Sequence, residues 1–250
     1  MFFSRQILSA ALALVAGTAS HAAPVAVFYG FDSAPSHSVV GTNSLSQRVS
    51  FLQQFTGPGA TSFGFERPDV RVGTTTLPLV VNFGDAMATV TAGSGTFMGV
   101  GELGRFNTTD GGSQYLRVQA GTSNFKITFD KDISAFGFYA TDVGDFEGTL
   151  KLLLRDVADN LIDTLTIRDQ SANPNLSGSL LFYGFADRNV AYRSVTFQSS
   201  GSNDFFGFDD FVVGTRNQLL AGTIPEPASL ALVGLALCAV GVARKSNRPA

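Results

Sequence analysis

From Val25 to Val213 the chain reads as short apolar runs of period two, cut at close intervals by turn formers, with few stretches of amphipathic helix. Runs at 25–31, 76–83, 86–91, 124–129, 135–141, 149–155, 161–168, 179–185, 194–198 and 205–213 are expected strands. Gly57-Pro58-Gly59, Asp110-Gly111-Gly112 and Asn173-Pro174-Asn175 are breakers between them. The clearest hairpin spans Leu150 to Ile167, with a turn at Asp156 to Asn160 in which Asn160 is the candidate for the left-handed position. Such a succession of strands without intervening helices predicts an all-β fold. The expected form is a single two-sheet antiparallel β-sandwich of the jelly-roll kind. Composition agrees: 27 Gly suit tight turns, and 23 Phe with no Trp suit a strand-built core. Residues 33–72 are the least regular, and 44–55 fit either a strand or a helical turn.

Both ends differ from this body. Arg5 makes a short positive segment, Ile7 to Val15 an apolar one, and Ser20-His21-Ala22 places small residues at −3 and −1 of a cleavage site. Cutting after Ala22 leaves Ala23 first, whereas cutting after Ala23 would put Pro24 at +1, where signal peptidase is hindered. Residues 1–22 are therefore the expected signal peptide. The apolar run is too short for a permanent span. At the other end, Pro225-Glu226-Pro227 precedes an apolar run from Ala228 to Ala243, then Arg244, Lys245 and Arg248. Two prolines in three residues keep that site extended and accessible to an enzyme. The apolar run is the expected inner-membrane helix, and the basic cluster holds its end on the cytoplasmic side.

Pro225, Glu226, Pro227 and the Arg244-Lys245 pair, in this order around the apolar run, resemble the PEP-CTERM sorting signal of Gram-negative bacteria. The resemblance covers residues 224–250 and implies processing by an exosortase, a membrane-embedded transpeptidase-like enzyme. It also implies a link to bacteria that make extracellular polysaccharide and biofilm. The expected path is export, a transient inner-membrane anchor, then the cell surface or the extracellular space. Two stretches of the body, Phe125 to Phe129 with Ile133 to Phe138, and Phe205 to Gly214, are similar to strands of jelly-roll domains found ahead of such tails. Those domains look like lectin or carbohydrate-binding sandwiches, which implies a fold more than an activity.

The body, residues 23–223, has thirteen basic and nineteen acidic residues, a net charge of −6. That balance speaks against nucleic acid as a partner and for attraction to divalent cations. The only cysteine, Cys238, lies in the apolar tail, so the body forms no internal disulfide and depends on its core. It holds one histidine, His37, between two serines in a polar stretch. No Gly-x-Ser-x-Gly elbow is present for a hydrolase triad, and one histidine is too few for a hydrolytic zinc site. Glu66, Glu102 and Glu147 are the only glutamates of the body, and none sits in a recognisable acid/base setting. The glycines of 99–104 lack the Lys-Ser/Thr of a phosphate loop. The expectation is a chain that is not an enzyme and has no resident cofactor.

Calcium is the one ion with candidate ligands. Asp209 and Asp210 sit inside a run apolar on both faces, where a carboxylate must be hydrogen-bonded, paired or metal-bound. Asp142 and Asp145 flank Gly144 after a strand, and Asp32 ends the first strand. Asp209, Asp142 and Asp145 are the candidate calcium ligands, with backbone-bonded or solvated carboxylates as the plainer reading. Phe63, Phe65, Phe106 and Tyr115 lie in irregular stretches and are the candidate exposed rings for stacking on a sugar.

The expectation for function is a non-catalytic structural or interaction protein of the cell envelope or extracellular matrix. A calcium-assisted, lectin-like glycan-binding module is the alternative. Intact-mass measurement of the protein from its host should show Ala23 as the first residue and loss of the chain downstream of Pro225-Glu226-Pro227. A tail left intact in cells with a working exosortase would overturn the sorting assignment.

Overall fold

The computed structural model describes residues 25–33, 41–56, 61–66, 78–92, 96–100, 106–121, 124–169, 178–201 and 204–220. The signal segment, His37, Glu102 and the whole sorting tail lie outside the described residues. Among the described residues thirteen strands form two antiparallel sheets. In chain order they are β1 (Ala26–Asp32), β2 (Thr61–Phe63), β3 (Leu79–Asn82), β4 (Met87–Ala92), β5 (Thr96–Val100), β6 (Gln114–Gln119) and β7 (Phe125–Ile133). Then follow β8 (Ala135–Thr141), β9 (Thr149–Arg155), β10 (Leu161–Asp169), β11 (Leu180–Ala186), β12 (Tyr192–Ser199) and β13 (Phe205–Gly214). One sheet runs β1-β11-β8-β13-β6-β5, with β2 also paired to β13; the other runs β10-β9-β12-β7-β4-β3. The two-sheet sandwich read from the sequence is the fold of the chain. Among the described residues no helix is long and apolar enough to cross a membrane.

All ten expected strands are present, β8 and β9 with the expected ends and the others shifted, while β2, β5 and β6 were not anticipated. β2 is three residues long, β5 carries Gly99, and β6 interleaves Gln and Arg with its apolar residues, so each weakens the period-two signal. The chain passes from one sheet to the other at Ser134, between β7 and β8. There its amide bonds Gly214 O at 2.8 Å and its own carbonyl accepts the Asp187 amide at 2.7 Å. In the β9–β10 turn the positive φ belongs to Asp159 (65°), not to Asn160. Asn160 is held by Asp156, which accepts its amide at 2.8 Å and its side-chain NH2 at 3.0 Å, leaving the left-handed position to its neighbour.

Between the sheets lies an aromatic core. Phe197 of β12 meets Phe125 at 4.1 Å, and Phe138, Phe208, Phe136 and Phe211 of the strands around it at 4.9 to 6.1 Å. A second, smaller cluster sits on the outer side of the seven-stranded sheet, under helix α1 (Thr42–Leu52). The irregular stretch thus holds a helix. Gly41 at its N-cap offers no side chain, and Asp32 at the end of β1 takes that role, accepting the Asn43 amide at 3.0 Å and the Ser44 amide at 2.8 Å. The helix buries Phe51 completely, against Phe28, Phe55 and Phe182.

Phe51 fits because the sheet below it lacks side chains. Gly184 of β11 and Gly137 of β8 are cross-strand partners, and a Cβ on either would come within 2.9 or 2.8 Å of the Phe51 ring. Gly184→Ala should therefore destabilise the protein by about 1–3 kcal/mol through overpacking, measured by urea unfolding. A variant as stable as wild type would show that Phe51 shifts without penalty.

Candidate functional site

The acidic candidates occupy two separate places. Asp209 sits in β13 on the side of the sheet that α1 covers, and is 1% exposed. Its Oδ2 accepts the Thr108 amide at 2.7 Å and the Thr109 amide at 3.2 Å, and its Oδ1 accepts the Asp210 amide at 2.8 Å. The Thr108 and Thr109 hydroxyls lie within reach of both Asp209 and Asp210, at 3.0 to 3.3 Å. Asp210 takes a left-handed φ of 49°, and the pairing of β13 with β8 is interrupted between Asp209 and Val212, which marks a bulge. Burial, and then the charge of Asp210, push the Asp209 carboxyl up to about 8, while the amides of Thr108 and Asp210 and the Thr108 hydroxyl pull it down. Glu66 clasps the other end of the same loop, accepting the Ser113 and Gln114 amides at 2.7 Å. The network pins residues 107–114 to β13; its chemistry is anchoring.

Asp142 and Asp145 lie in the β8–β9 loop, and the structure adds Asp204, at the start of β13, to them. Asp142, at φ 59°, accepts the Gly178 amide at 2.7 Å. Asp204 lies within electrostatic reach of Asp145 and Asp142. Burial raises Asp145 and Asp204, the latter to about 6, and the charge of Asp142 raises these two further. Among the described residues no donor reaches Oδ1 of Asp145 or Oδ2 of Asp204. Asp204 escaped the sequence reading because it stands far along the chain beside a polar stretch, with nothing local to mark it. Among the described residues no three His, Cys, Asp or Glu side chains form a group that could hold a metal ion. Asp209 does not join Asp142 and Asp145.

The candidate stacking rings are also placed differently from the expectation. Phe65 is fully buried and Tyr115 is 5% exposed, Phe63 packs against the core, and Phe106 stacks on Tyr115 at 5.2 Å. Phe65 is drawn into the core, meeting Phe211 at 5.0 Å, whereas Tyr115 alternates with the inward Leu116 and Val118 of β6 and is covered by Phe106 on the other side of the sheet. Phe65 and Tyr115 offer no open face for a sugar ring.

What stays open is the outer face of the six-stranded sheet. Across β3, β4 and β7 it carries a shallow trough of about 370 Å³ lined by Val80, Met87, Thr89, Thr128 and Asp130, with Ala88 and Phe129 beneath. Val80 and Met87 are 51% and 45% exposed. The register sets Val80, Thr89 and Thr128 in one cross-strand row, and Asp130 accepts the Met87 amide at 2.8 Å in the next. The period-two pattern implied an outward face for these strands, but not which part of it forms a depression.

No family model matches the chain, and no curated protein matches it. Among solved structures, an adhesin domain of Lys-gingipain is similar over 64% of this chain and 99% of its own, at 14% identity and a TM-score of 0.40. A family 29 carbohydrate binding module complexed with mannohexaose is similar over 65% and 97%, at 12% identity and 0.33. The lectin domain of lectinolysin complexed with Lewis B antigen is similar over 40% and 71%, at 10% identity and 0.30.

The Asp209 network generates its own test. Asp209→Ala strips the buried Thr108 amide of its acceptor and should cost about 1–3 kcal/mol. Asp209→Asn, which keeps an acceptor oxygen, should cost less. EDTA should leave the melting temperature of all three proteins unchanged. A fall in the wild type that the alanine variant lacks would place calcium at Asp209.

Proposed function

We propose that the chain is an exported, non-catalytic module that binds extracellular polysaccharide at or beyond the cell surface. One observation carries this reading: the sandwich is asymmetric. Helix α1 lies over the seven-stranded sheet, while the outer face of the six-stranded sheet bears a row of threonines. Thr89 and Thr128 face outward in one row, and Thr91, Thr164, Thr166 and Thr196 elsewhere on the same sheet. A rigid pleat of hydroxyls is suited to a polyhydroxylated chain, which both donates and accepts hydrogen bonds along its length.

Export and delivery rest on the two terminal segments, with signal peptidase and exosortase as the processing partners and the residue 228–243 run as the anchor before processing. Two carboxylates of the body are engaged structurally, which supports a non-catalytic role for them: Asp209 is sealed under hydrogen bonds, and Glu66 holds backbone amides.

The mature protein, passed over a glycan array and run in gels cast with soluble polysaccharides, should bind at least one extracellular polysaccharide. The same panel in EDTA decides whether calcium takes part. Uniform migration in every polysaccharide gel, with a blank array, would overturn the reading.

A further inference from the structure

The trough on β3, β4 and β7 has chemistry that selects among polysaccharides. Its floor and rim combine two exposed apolar side chains, Val80 and Met87, with two hydroxyls and one carboxylate. Among the described residues the Thr89 and Thr128 hydroxyls make no hydrogen bond, so both remain available to a ligand. One strand further, Ser194 of β12 stands opposite Thr128 and is 2% exposed, its hydroxyl buried with no partner among the described residues. A run of unengaged hydroxyls beside an apolar pair matches a pyranose, whose C–H face is apolar and whose rim is hydroxyl.

The charges around the trough settle the class further. Lys126 is paired with Asp159, Lys131 donates to the Asp85 carbonyl at 2.9 Å, and Arg193 is paired with Asp132 at 2.9 Å. Among the described residues Asp130 is the only charged side chain that lines the trough. An acidic polymer would therefore meet a carboxylate and no free cation there, at a cost of like-charge repulsion.

We infer that this trough is the binding groove for a neutral polysaccharide chain. The sugar's apolar face rests on Val80 and Met87, its hydroxyls bond Thr89, Thr128 and the free oxygen of Asp130, and Asp130 excludes uronic-acid chains. The inference rests on the polysaccharide reading and names the site and ligand class within it.

The test uses the mature full chain and calorimetric titration with neutral gluco-, manno- and xylo-oligosaccharides, and oligogalacturonate as the acidic counterpart. Met87→Ala and Thr128→Val should each weaken neutral binding by about tenfold, the size of one lost contact of this kind. Thr166→Val, on the same face but away from the trough, should leave it unchanged. Asp130→Asn should admit oligogalacturonate. These side chains point to solvent, and unchanged melting temperatures confirm that each variant is folded. If the wild type binds neutral sugars but the trough variants behave like Thr166→Val, the groove is wrong and the polysaccharide reading stands. If the wild type prefers oligogalacturonate, the neutral class is wrong. If it binds none of the probes and none of the arrayed glycans, both fall together.

Discussion

The ring of Phe197 holds the two sheets in register. It enters from β12 in the six-stranded sheet and meets Phe136 and Phe138 of β8 and Phe208 and Phe211 of β13 in the opposing one. A body without cysteine has no covalent tie between its sheets, so this interlock and the burial around it stand in for disulfides. Edge-to-face rings add geometry to burial, because they tolerate few alternative arrangements at this spacing. Every outward feature of the molecule, including the bulge at Asp209 and the open face of β4 and β7, is fixed by strands whose inward residues belong to that core.

Much of this was legible in the sequence, for a physical reason. Strands such as β9, where Leu150, Leu152 and Leu154 face inward, alternate cleanly because only one of their faces is covered. β8 and β11 are buried along their whole length, and there the alternation is replaced by a continuous apolar run that still reads as strand. Helix α1 was only half legible, residues 44–55 fitting either a strand or a helical turn. Its sequence has no strong apolar stripe, and it depends on Asp32 for its cap and on Gly137 and Gly184 for the space that Phe51 fills. Those contacts are distant in sequence and leave no local mark.

The candidate sites divide along the same line. That Asp209 needs a partner follows from its apolar neighbours; that the partners are Thr108 and Thr109, about a hundred residues earlier, follows only from β6 lying beside β13. Phe65 and Tyr115 were misplaced because irregular sequence was equated with exposure, yet Tyr115 belongs to strand β6, and the irregular backbone before it lies against β13 with Glu66 satisfying the Ser113 and Gln114 amides. The trough had no sequence signal at all. A depression on a sheet arises from which residues the register sets side by side, and register is a property of the pairing.

That distinction bears on why the acidic residues are poor guides to function here. A carboxylate that nature must keep inside a sandwich draws donors around itself, and Asp209 ends up holding a loop against a strand. Threonines on an open pleat are under no such compulsion. A hydroxyl facing water loses little when it stays unpaired, so Thr89 and Thr128 remain available to a ligand while contributing β-propensity to their strands. On the seven-stranded sheet, α1 and the Phe51 cluster lie across β1, β11 and β8. The helix that completes the hydrophobic burial on one side thereby leaves the other side, among the described residues, as an open pleat rich in hydroxyls.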